Sequence, residues 1–320
     1  MRYQVSHHSL RGARPTNQDR TAVVERNNAV LMAVADGLGG HHGGELAAEV
    51  FVQTVAHAFQ AVRHTLIQRP SAFLALAILQ AHNAIVRVGR QNVPPLEPRT
   101  TGVLGLVQEG YAYWAHVGDS RLYHFRDGQL LTRTQDHTSV EQLRQDGLLT
   151  DDEIADHPHK SRLLKCVGGP SKPVVSLGEE TRLMRGDVLL LCSDGVWEAH
   201  KPDELAGFLT GQDLEVDVEN MLLAAQRKMK SGCDNISAVA FRWEDAVTRA
   251  VPLQGNEAVQ IDQERMWKDA HQWMGETRVQ QARDDQRTEK PADRKNSIKD
   301  DISELESFLR TIEPKSRNPS

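Results

Sequence analysis

The chain has 320 residues, 39% hydrophobic and 26% charged, with a formal net charge of −6, a balance that suits one large or two modest globular domains and excludes the polybasic field of a nucleic-acid binder. No apolar run approaches the roughly 18–20 residues that span a bilayer, and the N-terminal MRYQVSHHSL lacks the apolar core of a signal peptide. Cys166, Cys192 and Cys233 are too few and too scattered for a disulfide framework, so a reduced, cytoplasmic protein is expected.

The first predicted strand is Ala29–Ala35. Two helical stretches follow. Leu46, Val50, Val55, Phe59 and Val62 fall on one face, and Leu74, Ile78, Ala81, Ile85 and Val88 recur at alternating spacings of four and three, with Gly89 as a stop. Val103–Val107, Tyr111–Val117 and Arg121–Phe125 read as short strands rich in β-branched and aromatic residues, parted by Gly, Asp and Asn. A helix is predicted at Ser139–Asp146. The polar, irregular DGLLTDDEIADHPHKSRLLKCVGG after it is expected to form a mobile flap beside a site. Strand Val188–Cys192, helix Glu215–Lys230 and strand Ile236–Trp243 complete the series. Two long helices between one early strand and a group of antiparallel-looking strands predict an α+β layered domain, because the regular strand–helix alternation of a doubly wound sheet ends after Thr100.

Beyond Asp245 the character changes. Residues 1–245 are read as the catalytic domain, 246–296 as a polar linker with room for a short helix, and 297–320 as an amphipathic helix. Ile298, Ile302, Leu305, Leu309 and Ile312 would line one face of that last helix. Ser297 and Asp300 resemble a capping box, and Pro314 stops the run. A helix of this length is marginal alone, so it is expected to dock on a partner or on its own catalytic domain.

The chemistry is carried by acids at strand ends. MAVADG puts Asp36 after an apolar run, WAHVGDS does so for Asp119 and LLLCSDG for Asp194, while Asp234 opens DNISAVAF. A single such acid is an ordinary turn residue. Four of them on buried strands can converge at one sheet edge, where they repel and need neutralising. All-oxygen clusters suit hard cations such as Mg²⁺ or Mn²⁺, and two ions roughly 3.5–4 Å apart can share a water, lower its pKa and clamp phosphate oxygens.

In order along the chain stand GARPTNQD, VADGLGGHHGGELAAE, TTGVLGL, AHVGDSRLYHFRDG, LTRTQDHTSVEQLRQDGLLT, GDVLLLCSDGVWE and DNISAVAF. This ordered set resembles the metal-dependent protein phosphatases of type 2C, the PPM family, in its compact bacterial form, up to about Trp243. The resemblance implies a four-layer α-β-β-α architecture, a central antiparallel β-sandwich flanked by helix pairs with metals in a cleft at one end. It implies hydrolysis of phosphoserine and phosphothreonine in proteins by a metal-bridged water, with two core Mn²⁺ or Mg²⁺ ions and a weaker third, opposing a serine/threonine kinase. Carried over by motif, Asp36 would bridge the core ions, the Gly37 carbonyl would bind one, and Asp194 and Asp234 would complete the set. Asp119 would hold the third ion together with Asp194, Asp19 would act through metal-bound water, and Arg14 would take the substrate phosphate through its planar fork.

Two positions depart from the family's eukaryotic pattern. Gln18 stands where many members carry a metal-binding glutamate, and Leu38 stands where they carry a histidine proposed as general acid. His41 and His42 lie nearby without a family role, and proton donation and hydrogen bonding within the loop are both open to His41. Asp136 and His137 of QDHT are expected to shape the cleft rather than touch metal. His7–His8 and His157–His159 lack the spacing and partners of a zinc site. Thiolate phosphatase chemistry needs an arginine shortly after the cysteine, but Lys172, Glu198 and Val239 stand six residues after the three cysteines. The opposing class is a phosphoprotein-binding scaffold that kept the fold, against which the four intact acids argue. A third reading keeps the enzyme as a switch phosphatase on anti-sigma-antagonist-like regulators.

Overall fold

The computed structural model describes residues 1–26, 28–38, 43–62, 66–150, 153 and 162–246, with nothing said of the side chain of Ser231. His41, His42, His157, His159, much of the expected flap and the C-terminal helix lie outside the described residues.

Strands β1 (Tyr3–Leu10), β2 (Asp19–Arg26) and β3 (Ala29–Asp36) lead into the helices α1 (Gly44–Ala61) and α2 (Pro70–Gln91). There follow β4 (Arg99–Thr100), β5 (Gly102–Gln108), β6 (Tyr111–Val117), β7 (Arg121–Arg126), β8 (Gln129–Arg133), α3 (Ser139–Gln145), β9 (Val167–Gly168), β10 (Ser176–Leu177), β11 (Thr181–Arg182) and β12 (Val188–Cys192). The single turn α4 (Asp194–Trp197), then α5 (Pro202–Phe208), α6 (Leu214–Met229) and β13 (Ile236–Trp243) close the described fold.

Among the described residues the strands form a five-stranded sheet in the order β1-β13-β12-β7-β8 and a six-stranded sheet built on β10-β6-β5-β3-β2, with β11 also pairing β6. All their ladders are antiparallel. Side chains alternate between faces along each strand. In β12 and β13, Leu189, Leu191, Val239, Phe241 and Trp243 meet Val30, Met32, Val34 and Val103 of the other sheet in the sandwich interior. The intervening Val188, Leu190, Cys192, Ala238 and Ala240 pack outward on α5 and α6 through Leu205, Val218, Met221 and Leu222. On the opposite side α1 and α2 cover β3, β5 and β6. Burial on both faces explains the unbroken apolar runs of β3 and β12.

The four layers α-β-β-α are therefore present, as the resemblance implied. The six expected strands are all found, and so are the four expected helices within the described fold. Helix α2 contains an 18-residue window with a mean hydropathy of 1.4, apolar enough to pass for a membrane span although polar residues interrupt it. Its apolar residues Leu74, Ile78, Ala81 and Ile85 are buried, on the side where it meets α1, β5 and β6.

Candidate active site

The acids arrive at the cleft by strand geometry. Asp36 is the last residue of β3 and Asp19 the first of β2, and the ladder sets them directly opposite each other. The backbone of Asp36 is fixed from β4 and from Thr101, the residue between β4 and β5. Its N–H donates to Thr101 Oγ1 (3.0 Å), and its carbonyl accepts from Thr100 Oγ1 (2.8 Å) and from the Thr101 N–H (2.8 Å). Thr101 Oγ1 also bonds Ser120 Oγ at 2.6 Å, tying the turn that carries Asp119 to the same anchor.

Gly37 follows, and only a residue without a side chain fits there. A Cβ on it would stand 2.3 Å from the Gly44 carbonyl oxygen and 2.8 Å from that of Gln18. The glycine thus serves the close approach of loop and helix start, a reason that spacing in the sequence did not give.

Asp119 sits in the turn from β6 to β7, which Gly118 opens at φ +105°. The turn is clamped from several sides. The Gly118 N–H donates to His137 Nδ1 (3.2 Å), the His137 N–H donates to the Gly118 carbonyl (2.9 Å), and Trp197 Nε1 donates to the Asp119 carbonyl (3.0 Å). The Arg121 guanidinium stacks 3.7 Å over the Trp197 ring and is forked onto Asp136 at 2.8 and 2.6 Å. Asp136 and His137 therefore brace the turn. Asp194 begins α4 at the end of β12, after Ser193, whose Oγ donates to Asp19 Oδ2 at 2.7 Å.

Asp234 precedes β13 and accepts two hydrogen bonds from Arg14, at 2.8 and 2.5 Å. The Arg14 loop is held by Asn235, whose Oδ1 accepts from the Gln18 N–H and whose Nδ2 donates to the Arg11 and Thr16 carbonyls.

Asp36, Gly37, Asp119, Asp194, Asp234 and Arg14 all line one cleft of about 720 Å³. Asp19 is 2% exposed, is not part of the cleft lining, and keeps Oδ1 without a hydrogen bond. Leu38 and Gln18 line the cleft as well. Thr100, Thr101, Ser193 and Trp197 are the supports that sequence reasoning did not single out. These residues fall within the motifs TTGVLGL and GDVLLLCSDGVWE, but nothing in those motifs gave them a supporting role.

The electrostatics are those of crowded acids. Burial, then Asp194, Asp19, Asp119 and Asp234, push Asp36 well above the usual carboxylate range. Burial and the neighbouring Asp119 and Asp234 do the same to Asp194. Burial and Asp136 carry Asp119 up to about 7 against the pull of Arg121. Burial lifts Asp19 to about 6 despite hydrogen bonds from Ser193 and Ser237. Such a set asks for positive charge. Among the described residues no three Asp, Glu, His or Cys side chains already converge as a ready-made coordination sphere. The acids instead surround an open cleft, with an unpaired carboxylate oxygen behind it. An all-oxygen donor set of that kind fits hard divalent cations.

The family model for protein phosphatase 2C matches residues 7–228. The chain belongs to the protein phosphatase 2C family. It is accordingly a hydrolase of a metal-dependent family. A putative 2C-type protein phosphatase of Streptococcus pyogenes is 29% identical over 70% of this chain and 90% of its own length. The serine/threonine protein phosphatase PstP of Mycobacterium tuberculosis is 29% identical over 66% of this chain but only 40% of its own length. Among solved structures, the serine/threonine phosphatase of S. agalactiae superposes with a TM-score of 0.69 at 27% identity, covering 76% of this chain and all of that one. The catalytic domain of PstP in complex with two manganese ions gives a TM-score of 0.62 at 28% identity, covering 76% of this chain and 99% of that one.

Proposed function

We propose that this 2C-type phosphatase hydrolyses phosphoserine and phosphothreonine in proteins, opposing a serine/threonine kinase in the cytoplasm, with Mn²⁺ or Mg²⁺ as cofactor. The observation that carries this reading is the convergence of the strand-end carboxylates Asp36, Asp119, Asp194 and Asp234 in one cleft whose rim holds Arg14, the first three of them lifted by burial and by neighbouring acids. The relatives named as serine/threonine phosphatases support the substrate class. The three cysteines, all free thiols, suit a reducing compartment.

In this reading Asp36, the Gly37 carbonyl, Asp194 and Asp234 would hold the core ions, and Asp119 with Asp194 would hold a third. When bound, the ions would supply Lewis acidity that lowers the pKa of a water and counters charge on the phosphoryl oxygens. Asp19 orients solvent from behind with its unpaired oxygen. Arg14 binds the phosphoryl group. The two guanidinium N–H groups now on Asp234 form the paired donor that a phosphate takes, so Arg14 would exchange one oxyanion partner for another. Thr100, Thr101 and Trp197 keep the Asp36 and Asp119 backbones in place during that exchange.

The test is release of phosphate from phosphothreonine and phosphoserine peptides by the purified chain with Mn²⁺, with Mg²⁺ and with EDTA. Hydrolysis with either ion and none with EDTA is the expected result. Metal-independent hydrolysis, or none under any condition, would overturn the reading.

A further inference from the structure

The cleft has two chemically opposite sides. One is the acid floor. The other is the segment from Arg162 to Val174, RLLKCVGGPSKPV, which carries three cations and no carboxylate. Lys165, Lys172, Leu164 and Val174 of this segment line the same cleft as the acids, with Arg99 beside them. Leu164 and Val174 are 55% and 58% exposed and give this side of the cleft two apolar side chains beside its cations.

This side is fixed relative to the floor. Leu163 bridges Thr138, the Leu164 N–H donates to the His137 carbonyl at 2.8 Å, and β9 pairs with β4, the strand whose Thr100 holds Asp36. The Gly169 N–H donates to the Pro98 carbonyl at 3.1 Å. Arg99 spends Nη2 on the exposed Glu97 and leaves Nε without a partner. Lys165 makes no ion pair with another described residue.

We propose that this wall selects substrates. Lys165 and Arg99 pair with Asp and Glu residues flanking the phosphorylated residue, Lys172 adds positive charge beside them, and Leu164 and Val174 cover an apolar side chain of the same segment. The preferred substrates are then phosphoprotein segments with acidic flanks. This rests on the reading of the cleft as a protein phosphatase site, and it adds what that reading leaves open. A substrate approaching the floor lays its neighbouring residues along this wall, where Lys165 stands beside the acids' cleft without an ion pair to a described residue. Charged groups placed so govern which partner docks and how fast. A free phosphate ester reaches only the floor and gains nothing from the wall.

The experiment compares two phosphothreonine peptides, identical except for Glu or Lys at the flanking positions, with an aryl phosphate as a third substrate. The full chain with Mn²⁺ should prefer the Glu peptide in kcat/KM by about fivefold or more, the sum expected of two or three part-exposed ion pairs. The preference should shrink with added salt. Lys165→Glu combined with Lys172→Glu should bring the ratio of the two peptides to one or invert it. Lys165→Gln, which keeps the stem, should lower the ratio part of the way. A wild-type ratio near one, a preference for the Lys peptide, or a charge-reversed variant that turns over both peptides at the wild-type ratio overturns the wall. Hydrolysis of the aryl phosphate beside a flat peptide ratio defeats the wall alone. No hydrolysis of any of the three defeats the phosphatase reading and the wall with it.

Discussion

Asp19 and Asp36 face each other across the β2–β3 ladder, and like charges directly opposite on a sheet destabilise it. The fold carries that cost at the cleft floor, where Asp36 is held well above the ordinary carboxylate range. Asp36→Asn removes one of the mutually repelling charges. Its phosphatase activity with Mn²⁺ should fall by more than about 100-fold, beyond what loss of an outer supporting group brings. In EDTA at pH 7 its melting temperature should equal or exceed that of the wild type, because the charged form of a lifted acid opposes folding. A variant that is active, or that melts clearly lower in EDTA, would remove Asp36 from the repelling centre. Asp119 belongs to a different turn with its own clamps. Asp119→Ala should keep Mn²⁺ binding in calorimetry within about tenfold of wild type while phosphopeptide hydrolysis falls further than that. Loss of all Mn²⁺ binding would instead place Asp119 among the core ligands.

At the scale of elements, the strands legible in the sequence were those buried on both faces or alternating cleanly, such as β3, β6 and β12. Strands β1 and β2 were missed because each lies at a sheet edge and is half polar, with only Tyr3, Val5 and Leu10 as apolar residues in β1. Helix α4, a single turn, is too short for a helical period to show. The strand-end acids could be read because an apolar run ending in Asp is a local pattern. Their supports could not, since the bonds from Thr101 to Asp36 and from Trp197 to Asp119 depend on which strands become neighbours. The same holds for Asp187, which ties β7 to the turn before β12. It accepts from Arg126 at 2.8 and 2.7 Å, from His124 at 3.0 Å and from the Met184 N–H at 2.9 Å. Burial works to raise its pKa, but these donors outweigh burial and hold it at about 2. A carboxyl with a depressed folded pKa stabilises fully above its unfolded value and loses that contribution as pH falls through the folded one. Denaturant unfolding from pH 7 to pH 2.5 should therefore show stability declining below about pH 4. Asp187→Asn should be less stable at pH 7 by on the order of 2 kcal/mol and flatter over that acid window. Equal slopes for the two proteins would show that Asp187 is not the group titrating there.

At the scale of the molecule, the described fold holds both sheets, the covering helices and every residue assigned to the cleft. The chain divides into Met1–Gly255 and Asn256–Ser320, and the second unit lies outside the described residues. We propose that residues 1–245 are the whole catalytic unit and that the stripe from Ile298 to Ile312 serves partner binding or self-association. Structural neighbours matched over their entire length while covering 76% of this chain support that division. A chain ending at Asp245 should hydrolyse an aryl phosphate with Mn²⁺ as the full chain does, and sedimentation should show the difference between them in association. An insoluble or inactive truncated chain would make the tail part of the core.

The facing pair of acids has one more consequence. Asp19 is the first residue of β2 and Asp36 the last of β3, so they meet only when all eight pairs of that ladder are aligned. A slip of one residue would turn every side chain of β2 to the opposite face. The catalytic floor is thereby a checksum on folding. A chain with a misaligned hairpin carries the same sequence and much of the same sheet, yet it cannot present the two carboxylates together. Stabilisation by divalent cations would count only the correctly paired fraction of a refolded preparation.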